Sequence, residues 1–138
     1  MIAVVALDAI MVVGLVAAVT IGPPRLVSRS IVSGVIMVAA GTYRDYPFSY
    51  PSSAVNATMQ GAFNATKVEV FIFSEANFVK WQSGDSFIAY YQSGYARYGI
   101  YVVDDLPPGR TYHLVFSDAF PNATGVSVLT NDSLSYVS

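Results

Sequence analysis

The sequence predicts a mainly β protein. An antiparallel β-sandwich is expected over residues 31–138, preceded by one N-terminal transmembrane α-helix in residues 1–24 and a linker in 25–30. Three observations carry this expectation. Residues 2–22 are almost wholly apolar and are closed by Pro23-Pro24. Beyond them the chain becomes polar, Tyr-rich and alternating in hydropathy, the period of a half-buried strand. Pro/Gly turn signals then recur roughly every 8–12 residues, the spacing of an antiparallel sandwich.

The leader comes first. At ~1.5 Å per residue a helix over residues 2–22 is roughly 30 Å long, matching the hydrocarbon core of a bilayer. Pro23 ends it, because a proline ring excludes the helical conformation from the residue before it. The leader lacks the positive n-region of a signal peptide, so a retained anchor is expected, in contact with lipid through residues 2–22. Its one charged residue, Asp8, is costly in lipid unless paired, hydrated or near the interface. Gly14 and Ala18 form a small-x-x-x-small pair of the kind that lets membrane helices approach closely. Asp8, Gly14 and Ala18 are therefore candidate contacts to a partner helix.

Two signals disagree on orientation. Arg25 and Arg29 follow the helix, which by the positive-inside tendency places the β domain in the cytoplasm. Four Asn-x-Ser/Thr sequons, at Asn56, Asn64, Asn122 and Asn131, favour an exported, glycosylated surface. The sequons outweigh the two arginines, and the β domain is expected on the extracytoplasmic side of the cell membrane.

The strands follow in order. Residues 31–40 are apolar and rich in Ile and Val, half the length of a membrane span, and read as a buried strand. Residues 43–50 alternate through Tyr46, Phe48 and Tyr50. Residues 54–63 and 67–73 read as two further strands, the second opposing Val68, Val70 and Ile72 to Glu69, Phe71 and Phe73. At Ser74 the period changes. Ser74 is a fitting N-cap, and Phe78 and Trp81 lie three apart on one helical face, so a short helix is expected over Ser74–Trp81. Strands are then expected at 86–91 and 95–103, joined through Gln92-Ser93-Gly94. After the tight Leu106-Pro107-Pro108-Gly109 turn, 111–116 and 125–136 close a set of about eight.

Charge and composition exclude several functions. The net charge is −2 and no run of Lys or Arg exists, so there is no electrostatic case for nucleic acid. Cysteine is absent, which removes disulfides, thiol catalysis and cysteine-ligated zinc. His113 is the only histidine, and no nucleophile–base–acid set accompanies it in the sequence. Asp104-Asp105 does not have the spacing of a calcium loop. No catalytic residue, cofactor or metal is expected. The Tyr-rich segment 90–101 exceeds what one buried face needs. Tyr90, Tyr91, Tyr95 and Tyr98 are therefore candidate surface contacts, since tyrosine gives large contact area at low entropic cost.

Several segments taken together resemble a known family: Val38–Tyr43 with Tyr46-Pro47-Phe48, Val68–Ile72, Asn77–Gly84 ending its helix in Trp81, and Leu106-Pro107-Pro108-Gly109 running on to Asp118. Their order is similar to that of the GOLD-like β-sandwich of exported archaeal and bacterial proteins, which has a jelly-roll-like arrangement. The resemblance spans about residues 31–137 and implies an exported, non-catalytic binding or structural module. Eukaryotic GOLD cargo receptors carry their membrane helix after the domain with a coiled coil between. Here the helix comes first and no heptads exist, so a cargo-receptor role is not implied. The expected function is that of an accessory or structural subunit of a membrane or cell-surface complex, partnered by other protein subunits. The alternative is a subunit of an extracellular filament, pilin-like, whose apolar N-terminus is packed against or donated to neighbours.

Overall fold

A computed structural model describes residues 23–138. The transmembrane helix, its lipid contact and the candidates Asp8, Gly14 and Ala18 lie outside the described residues. Among those described, no helix is long and apolar enough to cross a membrane.

Six strands and one helix follow in chain order: β1 (Leu26–Val38), β2 (Tyr43–Ser49), β3 (Val55–Ser74), α1 (Glu75–Gln82), β4 (Tyr91–Val103), β5 (Thr111–Ser117) and β6 (Val126–Val137). All pairings are antiparallel and belong to one sheet, with the order β1-β6-β3-β5-β2 and β4 paired to β3. The protein is therefore mainly β and antiparallel, as expected, but its sandwich-like core comes from one curled sheet rather than two.

The reason lies in β3, a single strand of 20 residues where two strands were expected. Its Asn64-Ala65-Thr66 segment is an irregularity in the β4 ladder, between the pairs Asn64–Tyr98 and Val68–Ala96, and not a reversal. One edge of β3 pairs with β6 up to Asn64 and with β5 from Glu69 onward, while the other edge pairs with β4 across both stretches. Changing partner at a bulge bends the strand and lets one sheet fold over itself. The path ends, β1 and β2, are joined by residues 39–42 alone, so the sheet's edges meet at that corner. Gly41, at a φ of +73°, makes the turn. Arg44 Nη1 donates to Met37 O across it (3.0 Å), the Gly41 N–H donates to Asp118 O (3.1 Å), and the Asp118 N–H donates to Thr42 O (2.9 Å).

The expected linker at 25–30 is also strand. β1 begins at Leu26, and residues 26–30 pair with 133–137. The expected strand at 86–91 does not form: strand structure starts at Tyr91 and runs unbroken to Val103. The Ile88 N–H is taken by the Asn77 side chain (3.0 Å) instead of a neighbouring strand. Gln92-Ser93-Gly94 is a bulge rather than a connection. Gly94 takes a φ of +66°, and Ser93 Oγ accepts the Val70 N–H that the bulge leaves without a carbonyl (2.9 Å).

The core is built from the inner face of the curl. Val68, Val70 and Ile72 of β3, Leu114 and Phe116 of β5, Phe48 of β2, and Val128 and Leu134 of β6 are buried together. The opposite face of β3 and β5 forms a second, smaller core of Phe71, Phe73 and Val115, covered by Phe78 and Trp81 of α1 and by Phe87. The helix lies one residue later than expected, with Ser74 as N-cap accepting the Asn77 N–H (3.2 Å). At this end of β3 both faces are covered, which explains why Phe71 and Phe73, read as opposing the core, are buried too.

A polar row crosses the inner face. Asp132 of β6 pairs with Gly61 of β3, which pairs with Tyr101 of β4. Asp132 is fully buried; Tyr101 Oη donates to its Oδ1 (2.5 Å) and Thr130 Oγ1 to its Oδ2. Burial raises the Asp132 carboxyl above its ordinary value despite these two donors. Burial and the neighbouring Asp132 charge push the Tyr101 hydroxyl far up, so it remains a donor. Gly61 makes the room. A Cβ there would overlap Asp132 Oδ1 and lie 2.6 Å from Tyr101 Oη. One row away the device recurs, with Phe63 lying over Gly99.

Candidate interaction surface

The sheet's outer face differs between its two ends. Over β3 and β5 it is covered by α1. Over β1, β6, the first half of β3 and β4 it carries no layer among the described residues, yet it is apolar. Strand register places the side chains in rows. Val35, Leu129, Asn64 and Tyr98 form one row and Ser33, Asn131, Ala62 and Ile100 the next. Met37 and Val102 extend the face at its two ends.

Of these, Val35, Met37, Leu129, Tyr98, Ile100 and Val102 are exposed, with Ile100 at 82% and Tyr98 at 75%. No charged side chain stands in either row. A groove of about 590 Å³ runs over Gly34, Ala62, Gly99 and Thr130, where small residues lower the floor between Leu129, Tyr98 and Ile100. Single exposed apolar residues are ordinary, but a contiguous patch on the pleated face of a sheet is a docking surface or an aggregation hazard. Two long edges flank it: β1 and β4, 13 residues each, pair on one side only.

The tyrosine candidates do not gather on one surface. Tyr98 belongs to the apolar face. Tyr91 turns inward against Tyr101, their centroids 4.8 Å apart. Tyr90 packs edge-on to Tyr112, and Tyr95 packs on Phe120, with Lys67 Nζ over both rings of that pair. The sequon asparagines are all exposed and divide into two kinds. Asn56 and Asn122 sit in left-handed backbone, the first beside a register shift in β3 and the second in the 118–125 loop. Asn64 and Asn131 stand within the apolar rows themselves. A glycan on either would cover that face.

His113 is the centre of a three-residue cluster that the sequence did not reveal. Asp45 of β2 and Glu75, the first residue of α1, flank its ring: Nδ1 lies 2.9 Å from both Asp45 oxygens and Nε2 lies 2.5 Å from Glu75 Oε1. The Phe78 ring stacks on it at 4.1 Å. Both ring nitrogens are engaged, and the cluster ties β2, β5 and α1 together. Asp104 accepts from Thr58 Oγ1 (3.1 Å). Among the described residues no group of His, Asp and Glu side chains is arranged to hold a metal.

The outer face had a signal in the sequence that alternation alone obscures. Val35-Ile36-Met37-Val38 and Ile100-Tyr101-Val102-Val103 are apolar at both parities, and a strand apolar at both parities has both faces to cover. No protein-family model matches the sequence, and comparison with curated proteins finds no match.

Proposed function

We propose that this protein is a non-catalytic accessory or structural subunit of a membrane or cell-surface assembly. Its leader, residues 2–22, engages the bilayer, and its β domain, of GOLD-like type, joins neighbouring subunits on the extracytoplasmic side. The observation that carries this reading is the chargeless apolar face of β1, β6, β3 and β4. A face of that kind is costly to leave in water and is suited to a second protein surface. The exposed sequon asparagines, above all Asn56 and Asn122, support the exported orientation.

A second reading draws on the two long one-sided edges. β1 and β4 each offer a row of unpaired backbone groups to an added strand, the mode by which a filament subunit would accept a neighbour's apolar N-terminus.

The test is Ile100→Asp in the native host. Because Ile100 is 82% exposed, the substitution is expected to leave the far-UV spectrum and the unfolding midpoint unchanged. Gently extracted wild-type protein is expected to migrate on native gels in an assembly well above its own 14.8 kDa. The variant is expected to lose at least nine-tenths of that species. Wild-type migration by a folded variant would contradict the reading.

A further inference from the structure

We propose that the occupant of the outer face is a second copy of this chain. The two copies dock face to face about a two-fold axis that runs across the strands, and the Val35–Leu129–Asn64–Tyr98 row of each sits in the groove of the other. The inference rests on the assembly reading above and names its partner.

Area and charge both suit a second copy. The six exposed apolar side chains of the face present roughly 750 Å² to solvent, and a standard interface takes about 800 Å² from each partner. A two-fold interface sets a patch against itself, so each group must complement its own kind. A charge fails that test, since like would meet like, and neither row carries one. The polar members of the rows, Ser33, Asn64 and Asn131, are a hydroxyl and two amides. Such groups both donate and accept hydrogen bonds, so each can bond to its own copy.

Shape selects the axis. Gly34 lies opposite Thr130, Thr130 opposite Phe63, and Phe63 opposite Gly99. These four residues floor the groove of about 590 Å³. The groove therefore crosses the strands, one residue, or about 3.4 Å, from the side-chain row on either flank. Two sheets packed face to face keep their strands near alignment, which leaves two directions for a two-fold axis. An axis along the strands sets each row on its like, wall against wall, and leaves both grooves empty. An axis across the strands, midway between the Leu129 row and the groove floor, exchanges row and floor. The row of each copy then drops into the groove of the other. Val35, Leu129 and Tyr98 give this row the bulk to fill it, whereas the opposite wall contains Ser33 and Ala62. In this arrangement like residues meet across the axis, Leu129 with Leu129, Asn64 with Asn64 and Tyr98 with Tyr98.

The experiment uses the full chain in the membranes of its native host. The sequence contains no cysteine, so a single introduced cysteine reports only on itself. Leu129→Cys is treated with a short bismaleimide, and Ile88→Cys, at a position 77% exposed on the other end of the fold, is the control. The expected product of Leu129→Cys has twice the 14.8 kDa mass of the chain and is at least ten times more abundant than in the control. Tyr98→Asp and Tyr98→Lys are then each added to Leu129→Cys. Tyr98 is 75% exposed, so neither change disturbs the fold. Each alone sets like charges face to face and is expected to cut the product at least ten-fold. Co-expression of the two is expected to restore at least half of it, because opposite charges then meet across the axis. No product of twice the chain mass, equal product in the control, or no restoration in the mixture would each overturn the proposal. Absence of that product while Ile100→Asp still dissolves the native assembly would show that a different chain covers the face. That result would remove this inference and leave the assembly reading standing.

Discussion

Gly61→Ala is expected to cost roughly 3–4 kcal/mol of stability, read as a lower urea midpoint for the β domain. A Cβ at this position overlaps Asp132 Oδ1 and comes within 2.6 Å of Tyr101 Oη. Neither neighbour is a flexible chain end that can swing clear. Tyr101 is buried and Asp132 is fully enclosed. Overpacking of this kind costs about 1–3 kcal/mol, and moving a buried carboxylate off a donor adds about 1–3 more. Gly41→Ala tests the other use of glycine in this chain. Nothing lies within 4 Å of a Cβ at Gly41, and only its φ of +73° resists a side chain, so a loss of about 1 kcal/mol is expected there. Equal costs at the two positions would show that Gly61 is not holding space for the Asp132–Tyr101 pair.

Asp132 gives the second large effect, through pH. Its carboxyl is raised by burial above the ordinary value of 3.8, while in the unfolded chain it ionises near that value. Below pH 3.8 it is protonated in both states, and its contribution to stability is fully present. As pH rises toward the raised folded value, the unfolded chain gains by ionising while the fold resists. Stability therefore falls, and levels off above the folded value. Asp132→Asn keeps the shape and removes the titration. The wild-type urea midpoint, measured relative to this variant, should fall as pH rises from 3 to 7. A difference that is flat, or that rises with pH, would show that the buried carboxylate is held ionised by its donors at no cost. Tyr101→Phe should steepen the fall, since it removes the hydroxyl that donates to Oδ1 (2.5 Å) and leaves that oxygen unsatisfied, at about 1–3 kcal/mol.

Much of the fold was legible from the residues. The alternation of Tyr46, Phe48 and Tyr50 and the Ser74 cap act locally, and each lies where the pattern puts it; Leu106–Gly109 lies in the open loop between β4 and β5 rather than a tight turn, its Leu106 and Gly109 N–H groups donating to Ala57 O (3.1 Å) and Tyr50 O (3.1 Å). The misreadings share a cause. Asn64-Ala65-Thr66 and Gln92-Ser93-Gly94 have the composition of turns, but both are bulges inside long strands. Whether such a triplet reverses the chain or only bends it depends on which strands flank it, and that is set by partners distant in sequence. The same holds for the single curled sheet, which follows from β3 changing partner between Asn64 and Glu69.

The sites divide along the same line. Tyr98 was visible as a contact candidate because it is a tyrosine in a tyrosine-rich run. Ile100, Val35, Leu129 and Met37 were not, because an apolar residue in a strand reads as core until the strand's second face is known to be bare. The Asp45–His113–Glu75 cluster joins residues 68 and 38 positions apart, beyond any local motif. Asn64 and Asn131 were legible as sequons, but only strand register shows that they stand within the apolar face.

In the proposed assembly this face is covered by neighbouring subunits. Carbene footprinting of the protein in its native membranes, set against the isolated β domain, tests it most directly. Val79 and Ile88 serve as internal references, since both are exposed apolar residues at the other end of the fold, Ile88 at 77%. Labelling of Val35, Met37, Tyr98, Ile100 and Leu129 is expected to drop at least five-fold in the membranes while Val79 and Ile88 stay unchanged. Equal labelling of the two groups in both states would contradict the account.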